Sequence, residues 1–132
     1  YGETLGLTNT VLANATGLTG GEQYSTAHDI RTLLTAAYGD SFLRPLLSRE
    51  CGVVVTAEGA ARSYTTKNDL LDTYLPEKKK KTGYTLEAGE NLAVLTSTDS
   101  GHDVGIIILA SEQRFQDAKI LAEWIQRNYT WE

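Results

Sequence analysis

The sequence has little of what would mark a disulfide-stabilised, metal-binding, membrane-spanning or nucleic-acid-binding protein. Its one cysteine, Cys51, excludes an internal disulfide, and because no histidine lies near it in sequence, we interpret it as a small buried hydrophobe rather than a nucleophile. His28 and His102 are too far apart for metal-ligand spacing, so neither a metal nor another cofactor is predicted. The longest apolar run, Val104 to Ala110, is too short to cross a bilayer. The formal net charge of −5 argues against a general nucleic-acid binder.

No leader is visible either, because the chain opens on Tyr1-Gly2-Glu3 without a charged start or an apolar segment. The trimmed form of an exported protein would look the same. The length of 132 residues indicates one domain, and a hydrophobic content of 41% with 22% charged residues is sufficient for a soluble globule with a core.

The first half of the sequence predicts two helices. Thr26 with Asp29 three residues later is close to a capping box, so a helix is expected to begin at Ser25 or Thr26. Gly39 is expected to end that helix. A second, shorter helix is predicted from Ser41, acting as its cap, to Arg49.

A hairpin and a closing helix are also predicted. The β-branched residues 52–56 and the returning residues 61–66 indicate the hairpin, with a turn at Glu58-Gly59. The last helix is expected to cover residues 114–129. Its core stripe is predicted to comprise Ala118, Leu121, Ala122, Ile125 and Tyr129.

Three further strands, at residues 81–85, 91–98 and 104–110, predict an antiparallel meander, which makes the fold class α+β. The lysines at 78–80 are expected in a solvated loop. Residues 104–109 are apolar without alternation, which is typical of a central strand buried on both faces. In a simple meander that strand would instead lie at an open edge, so the chain is expected to be part of a larger sheet.

The stretch Lys81-Thr82-Gly83-Tyr84-Thr85, followed by Ala88-Gly89, carries the chemical signal. Lys-Thr-Gly is one of three short motifs that mark penicillin-binding proteins and serine β-lactamases. Taken alone, the triplet has a simpler interpretation as a basic loop that leads into a turn. The segments around it decide between the two interpretations.

With those segments, nearly the whole chain resembles the second half of the serine-type D-alanyl-D-alanine carboxypeptidases, the low-molecular-mass penicillin-binding proteins. The resemblance implies a β-lactamase/transpeptidase-like fold whose N-terminal strands and nucleophile helix are missing from residues 1–132. The segments that carry it are, in order, Leu5-Gly6-Leu7 with Thr10, Asn14 to Leu18, Tyr24 to Asp29, Asn68 with Leu70-Leu71, Lys81 to Gly89, and Arg114 with Asp117-Ala118.

The resemblance also implies roles for five residues in acyl transfer on a peptide ending in D-Ala-D-Ala. Lys81, Thr82 and Gly83 would be catalytic: the lysine places a positive charge in the cleft, the threonine hydroxyl binds the terminal carboxylate, and the glycine admits the substrate backbone. Tyr84 and Thr85 would bind substrate, with the Tyr84 N–H as half of the oxyanion hole. β-Lactams, which mimic the peptide, are the other expected ligand.

The sequence departs from this family in three places. Neither Ser-x-x-Lys, which holds the nucleophile, nor Ser-x-Asn occurs, and lysines 78–80 replace the usual acidic residue and glycine. The chain alone is therefore expected to be inactive, and its parent to lie outside the cytoplasm. Two alternatives stay open: a non-catalytic fragment that binds a second copy or the missing N-terminal half through an open sheet edge, and a hydrolase related to the serine β-lactamases.

Overall fold

The computed structural model describes residues 1–66 and 79–131. Its elements are α1 (Ala27–Gly39), α2 (Leu43–Leu47), β1 (Cys51–Val55), β2 (Ala61–Thr65), β3 (Lys79–Thr85), β4 (Gly89–Ser97), β5 (Asp103–Ser111) and α3 (Arg114–Asn128). Strands β3, β4 and β5 form one antiparallel sheet in that order, and β1 pairs only with β2 among the described strands. The predicted α+β class and the three-stranded meander are therefore confirmed. The predictions for Asn68, Leu70, Leu71 and Lys78 lie outside the described residues.

The start of α1 follows the predicted cap. Thr26 is the N-cap, and its Oγ1 accepts the N–H of Asp29 at 3.2 Å. The helix ends at Gly39, as expected. Leu34, in the second half of this helix, is buried.

The start of α2 differs from the prediction, because Ser41 does not cap it. The Oδ1 atom of Asp40 accepts the N–H groups of Phe42 at 2.8 Å and Leu43 at 2.9 Å. Because an aspartate carboxylate satisfies two free backbone donors at once, the helix begins later, at Leu43.

The core lies between the three-stranded sheet and α3. On β4, Leu92, Val94 and Thr96 are buried on one face, and Ala93 is buried on the other. The same core contains Ile106 and Ile108 of β5 and the small residues Ala118 and Ala122 of α3.

Two predicted members of the α3 stripe are wrong, since Leu121 and Tyr129 are 40% and 53% exposed. Alanines in the contact let the helix approach the sheet closely, so only a narrow seam is covered. Tyr129 follows the end of α3 and packs on Trp131 instead, with ring centroids 5.9 Å apart.

The open-edge position expected for β5 in a simple meander is found within the described residues, whereas burial on both of its faces is not. β5 is the last strand of the sheet, and its burial alternates: Ile106 and Ile108 are buried, whereas Gly105 and Leu109 are exposed. The face opposite α3 is only partly covered, by α1, which leaves Ile107 half-buried.

Two of the lysines predicted to be in a loop belong to β3. Lys79 pairs with Leu95 and Lys80 pairs with Val94, so the ladder extends before the Lys-Thr-Gly triplet. The prediction failed because it used side-chain charge, whereas pairing uses the backbone. Lysines are common on edge strands, where they discourage association with other chains.

The β1–β2 hairpin is confirmed, but it is open to solvent. Cys51 is exposed rather than buried, and Val53, Val54 and Val55 are each more than half exposed. The prediction for Cys51 was wrong because no described element covers this end of the hairpin. Among residues 1–66 and 79–131, no helix is long and apolar enough to cross a bilayer.

Candidate active site

The Lys-Thr-Gly triplet lies on the outer strand of the three-stranded sheet. β3 pairs with β4 on one side, with Lys81 opposite Ala93 and Gly83 opposite Asn91. Its other side has no partner among the described strands. The predicted position of residues 81–85 at a sheet margin is confirmed, and their chemical roles stay predictions.

An open groove with a volume of about 590 Å³ runs along this strand. Its size falls within the ~300–1,000 Å³ that is usual for ligand sites. On the strand side it is lined by Lys81, Thr82, Gly83 and Thr85, and across from them by the loop that contains Tyr24 and Ser25. The structure thus brings four of the five predicted site residues to one groove. The side chain of Tyr84 is outside the lining and 62% exposed.

The far wall of the groove is held by a buried carboxylate. Asp29 is 1% exposed, and its Oδ2 accepts the hydroxyl of Thr10 at 2.7 Å and the N–H of Asn9 at 2.9 Å. Thr10 in turn shares a hydrogen bond of 2.8 Å with Ser25 on the groove lining. The hydrogen bond from Thr10, aided by that from Asn9, lowers the pKa of Asp29, so this wall is fixed by a charged group.

A second loop of the same wall is organised by Asn14. Its Oδ1 accepts the N–H groups of Thr16 at 3.0 Å and Gly17 at 2.8 Å, and its Nδ2 donates to the carbonyl of Leu18 at 2.9 Å. Gly17 has φ of 71°, which a glycine adopts without strain. The loop therefore presents Gly17 to the groove in a defined conformation.

Beneath the groove, Asn91 fixes the junction of all three strands. Its Oδ1 accepts the N–H of Ala110 at 3.0 Å, and its Nδ2 donates to the carbonyls of Gly89 at 3.0 Å and Ala88 at 3.3 Å. The β4–β5 register shifts here, between Glu90 and Leu92, and Ala110 has φ of 53°. The side chain thus stabilises a bulge directly opposite Gly83.

Arg114, at the start of α3, contacts the backbone of the Lys-Thr-Gly triplet. Its Nη1 donates to the carbonyl of Gly83 at 3.1 Å, and its Nε lies 4.0 Å from Oε2 of Glu90. Its side chain is 12% exposed, whereas Gly83, to which it donates, is exposed. A charge-assisted hydrogen bond to a carbonyl is among the stronger kinds.

Sequence reasoning missed the contacts of Asn91 and Arg114, although each residue carried a signal. Asparagine is disfavoured within a strand, and next to Gly89 it suggests a bulge. A cation in the first turn of a helix opposes the helix dipole, which suggests that Arg114 is needed for another contact. Neither signal identifies the partner.

The groove has two charged side chains on its described lining, Lys81 and Glu87. Lys81 is exposed, and its ammonium donates to the carbonyl of Thr82. Within the described ranges, no three His, Cys, Asp or Glu side chains are grouped so that they would hold a metal ion. The groove therefore has one positive and one negative side chain on its described lining and runs along the side of β3 that no described strand pairs with, a geometry suited to binding an extended peptide.

Comparisons with known proteins agree with this geometry. A family model described as D-alanyl-D-alanine carboxypeptidase matches residues 1–113. No curated protein sequence matches the chain.

Solved structures give the same fold. The chain is similar to a DD-transpeptidase from Streptomyces, with 26% identity and a TM-score of 0.78 over 93% of this chain and 50% of that one. It is similar to a penicillin-binding protein from Listeria monocytogenes in a cefotaxime-bound form, with 28% identity and a TM-score of 0.73 over 92% and 50%. A D-alanyl-D-alanine carboxypeptidase from Mycobacterium tuberculosis shares the fold, with 23% identity and a TM-score of 0.76 over 93% and 49%. The chain spans about half the length of these proteins.

Proposed function

The chain belongs to the D-alanyl-D-alanine carboxypeptidase family, and we propose that it supplies the Lys-Thr-Gly wall of the cleft in a penicillin-sensitive serine D-Ala-D-Ala carboxypeptidase that acts on peptidoglycan stem peptides. One observation carries this proposal. Lys81, Thr82 and Gly83 lie on the edge strand of the sheet that the described strands form, and they line a groove of peptide-binding size.

Each residue of the strand has a role in the proposed reaction. Lys81 attracts the terminal carboxylate of the substrate and supports proton transfer, and the Thr82 hydroxyl donates a hydrogen bond to that carboxylate. Gly83 admits the substrate backbone, which pairs with β3 as an added strand. The N–H of Tyr84 stabilises the oxyanion, and Thr85 contacts the substrate further along the groove.

The nucleophile belongs to the part of the cleft that residues 1–132 do not contain. A serine of Ser-x-x-Lys attacks the peptide carbonyl, D-Ala leaves, and water hydrolyses the acyl-enzyme. β-Lactams stop at the acyl stage, and the Listeria relative has cefotaxime bound. The isolated chain, without that serine, neither hydrolyses the peptide nor traps penicillin.

Labelling with fluorescent penicillin tests the proposal. The complete polypeptide that contains this chain is expected to become labelled, and the 132-residue chain is expected to stay unlabelled. Loss of the charge-assisted bond of Lys81 in Lys81→Ala removes ~1.5–3 kcal/mol and so slows acylation about 10- to 100-fold. Lys119→Ala, in α3 and outside the groove, is the matched control and leaves the rate unchanged. Covalent label on the isolated chain, or none on the complete polypeptide, would refute the proposal.

The substrate class places the complete protein outside the cytoplasm, facing the cell wall. Cell fractionation measures this directly, and recovery of the protein from the cytosol alone would contradict it. Turnover separates the β-lactamase alternative, because a carboxypeptidase releases D-Ala from the peptide and stays acylated by penicillin, whereas a β-lactamase hydrolyses penicillin repeatedly.

A second candidate function rests on the open edge of β5. This strand carries Ile107 and Leu109, has no partner on its outer side among the described strands, and would bind a strand of a second copy or of the N-terminal half. Light scattering on the isolated chain tests self-association. A monomer at high concentration would leave the N-terminal half as the remaining partner, and added N-terminal half that fails to bind would exclude the function.

A further inference from the structure

Ser25, directly before the cap of α1, lies on the groove wall across from β3. The serine is half-buried, and its Oγ lies 2.8 Å from Oγ1 of Thr10. The same Oγ1 atom lies 2.7 Å from Oδ2 of Asp29, whose side chain is buried. Three side chains therefore form one chain of hydrogen bonds that leads from a buried carboxylate to the groove.

The carboxylate fixes the direction of each hydrogen bond in this chain. The hydrogen bond from Thr10, aided by that from Asn9, lowers the pKa of Asp29, so its carboxylate is ionised at neutral pH and can only accept. The hydroxyl of Thr10 has one hydrogen, and it donates that hydrogen to Asp29. Ser25 must then donate its own single hydrogen to Thr10, which leaves two lone pairs and no donor on its Oγ.

The charge of Asp29 reaches the groove only through this chain, because the carboxylate itself is 1% exposed. Successive hydrogen bonds polarise one another, so the Oγ of Ser25 is a stronger acceptor than an isolated hydroxyl. No donor among the described residues bonds to this atom. The groove wall thus presents a polarised acceptor of fixed direction.

An extended peptide that pairs with β3 has backbone groups left for such an acceptor. The N–H and carbonyl groups of alternate residues point to the strand, and those of the residues between them point away from it. In the proposed function, the outward groups face the wall that holds Ser25. The nucleophile and the oxyanion donor engage the reacting amide, so the partner lies before it. We infer that Ser25 is a specificity residue that accepts one outward N–H of the peptide, at an amide before the reacting bond.

Peptides in which each amide before the reacting bond is replaced by an ester, one at a time, test this inference, which rests on the proposed function. An ester has nearly the same shape, but it lacks the N–H and offers only acceptors. The complete polypeptide is assayed for kcat/KM of D-Ala release on each peptide. At one position the ester is expected to lower kcat/KM about two- to tenfold through the lost bond to Ser25.

Variants of Ser25 show whether that loss belongs to its hydroxyl. Ser25→Ala is expected to remove the loss at that one position and to keep the losses at positions whose N–H points to β3. Ser25→Cys keeps the size of the side chain, but its sulfur is a weak acceptor, so the same result is expected. Ser48→Ala, at the end of α2 and outside the groove, is the matched control and is expected to keep every loss.

The pattern of losses distinguishes recognition from a purely structural role, which would lower kcat/KM equally for amide and ester peptides. If either Ser25 variant keeps all the ester losses of the wild type, the role of Ser25 is refuted and the proposed function stands. Penicillin labelling of the wild type is measured separately. If no label appears, the proposed function fails and the role of Ser25 fails with it.

Discussion

Substitution Asn91→Ala tests how the floor of the groove is held. It removes the acceptor for the N–H of Ala110 and the donors for the carbonyls of Ala88 and Gly89. Ala110, already at φ of 53°, then has no side chain to fix its backbone N–H. The bulge opposite Gly83 is expected to relax, which disturbs the pairing of β3 and β4 at the triplet.

The magnitude follows from these contacts. A net hydrogen bond contributes ~0.5–1.5 kcal/mol, and because two of the three share one amino group near the surface, we take about 2 kcal/mol in total. With a urea m-value of about 2 kcal/mol/M, the unfolding midpoint is expected to fall by about 1 M.

Urea unfolding followed by tryptophan fluorescence measures this shift. The control Asn128→Ala removes one exposed bond, to the carbonyl of Trp124 at 2.8 Å, and is expected to change the midpoint by less than about 0.3 M. If Asn91→Ala changes the midpoint no more than this control does, the three hydrogen bonds do not stabilise the bulge and the reasoning fails.

Three further predictions concern stability. The hydrogen bond from Thr10 lowers the pKa of Asp29 below its ordinary 3.8, so the ionised carboxylate stabilises the fold above about pH 4. This stabilisation is lost as the pH falls through the lowered pKa. Asp29→Asn is therefore expected to weaken the fall in urea stability at acid pH, and an unchanged fall would contradict this. Gly89→Ala puts a Cβ 3.3 Å from the Cα of Ala110 at φ of 66°, whereas Gly6→Ala, at φ of 70°, meets open space. Gly89→Ala is therefore expected to lower the free energy of unfolding, measured in urea, by about 1 kcal/mol more than Gly6→Ala does. Equal losses would show that the contact is not tight. Arg114→Gln is expected to lower the free energy of unfolding by about 1.5–3 kcal/mol, because it loses the charge-assisted hydrogen bond to the carbonyl of Gly83. The control Arg127→Gln breaks an exposed ion pair and is expected to lower it by about 0.5 kcal/mol. Equal losses in thermal unfolding would contradict a special role for Arg114.

Local signals predicted the elements well. The cap of α1 was predictable because Thr26 and Asp29 are three residues apart and contact each other directly. The hairpin and the meander were predictable from β-branched runs separated by turns. The strand of the candidate site was also predictable, because the residues Lys81, Thr82 and Gly83 are adjacent in the sequence and form a recognisable motif.

Properties set by distant parts of the chain were not predictable. Arg114 reaches Gly83 across 31 positions and Asn91 reaches Ala110 across 19, and no short-range pattern encodes either contact. The exposure of Cys51 and the one-sided burial of β5 were predicted wrongly for the same reason. Both depend on which elements cover these residues, and residue type alone does not specify that.

The two margins of the three-stranded sheet have opposite characters. The β3 margin has Lys79, Lys80 and Lys81 in one strand, and the β5 margin has Ile106, Ile107 and Ile108. If two copies joined along their isoleucine margins, the six-stranded product would end in a lysine strand on each side. Like charges would then oppose the addition of a third copy, so assembly through this sheet would stop at a closed pair rather than grow into a fibre, and both β3 margins would stay accessible.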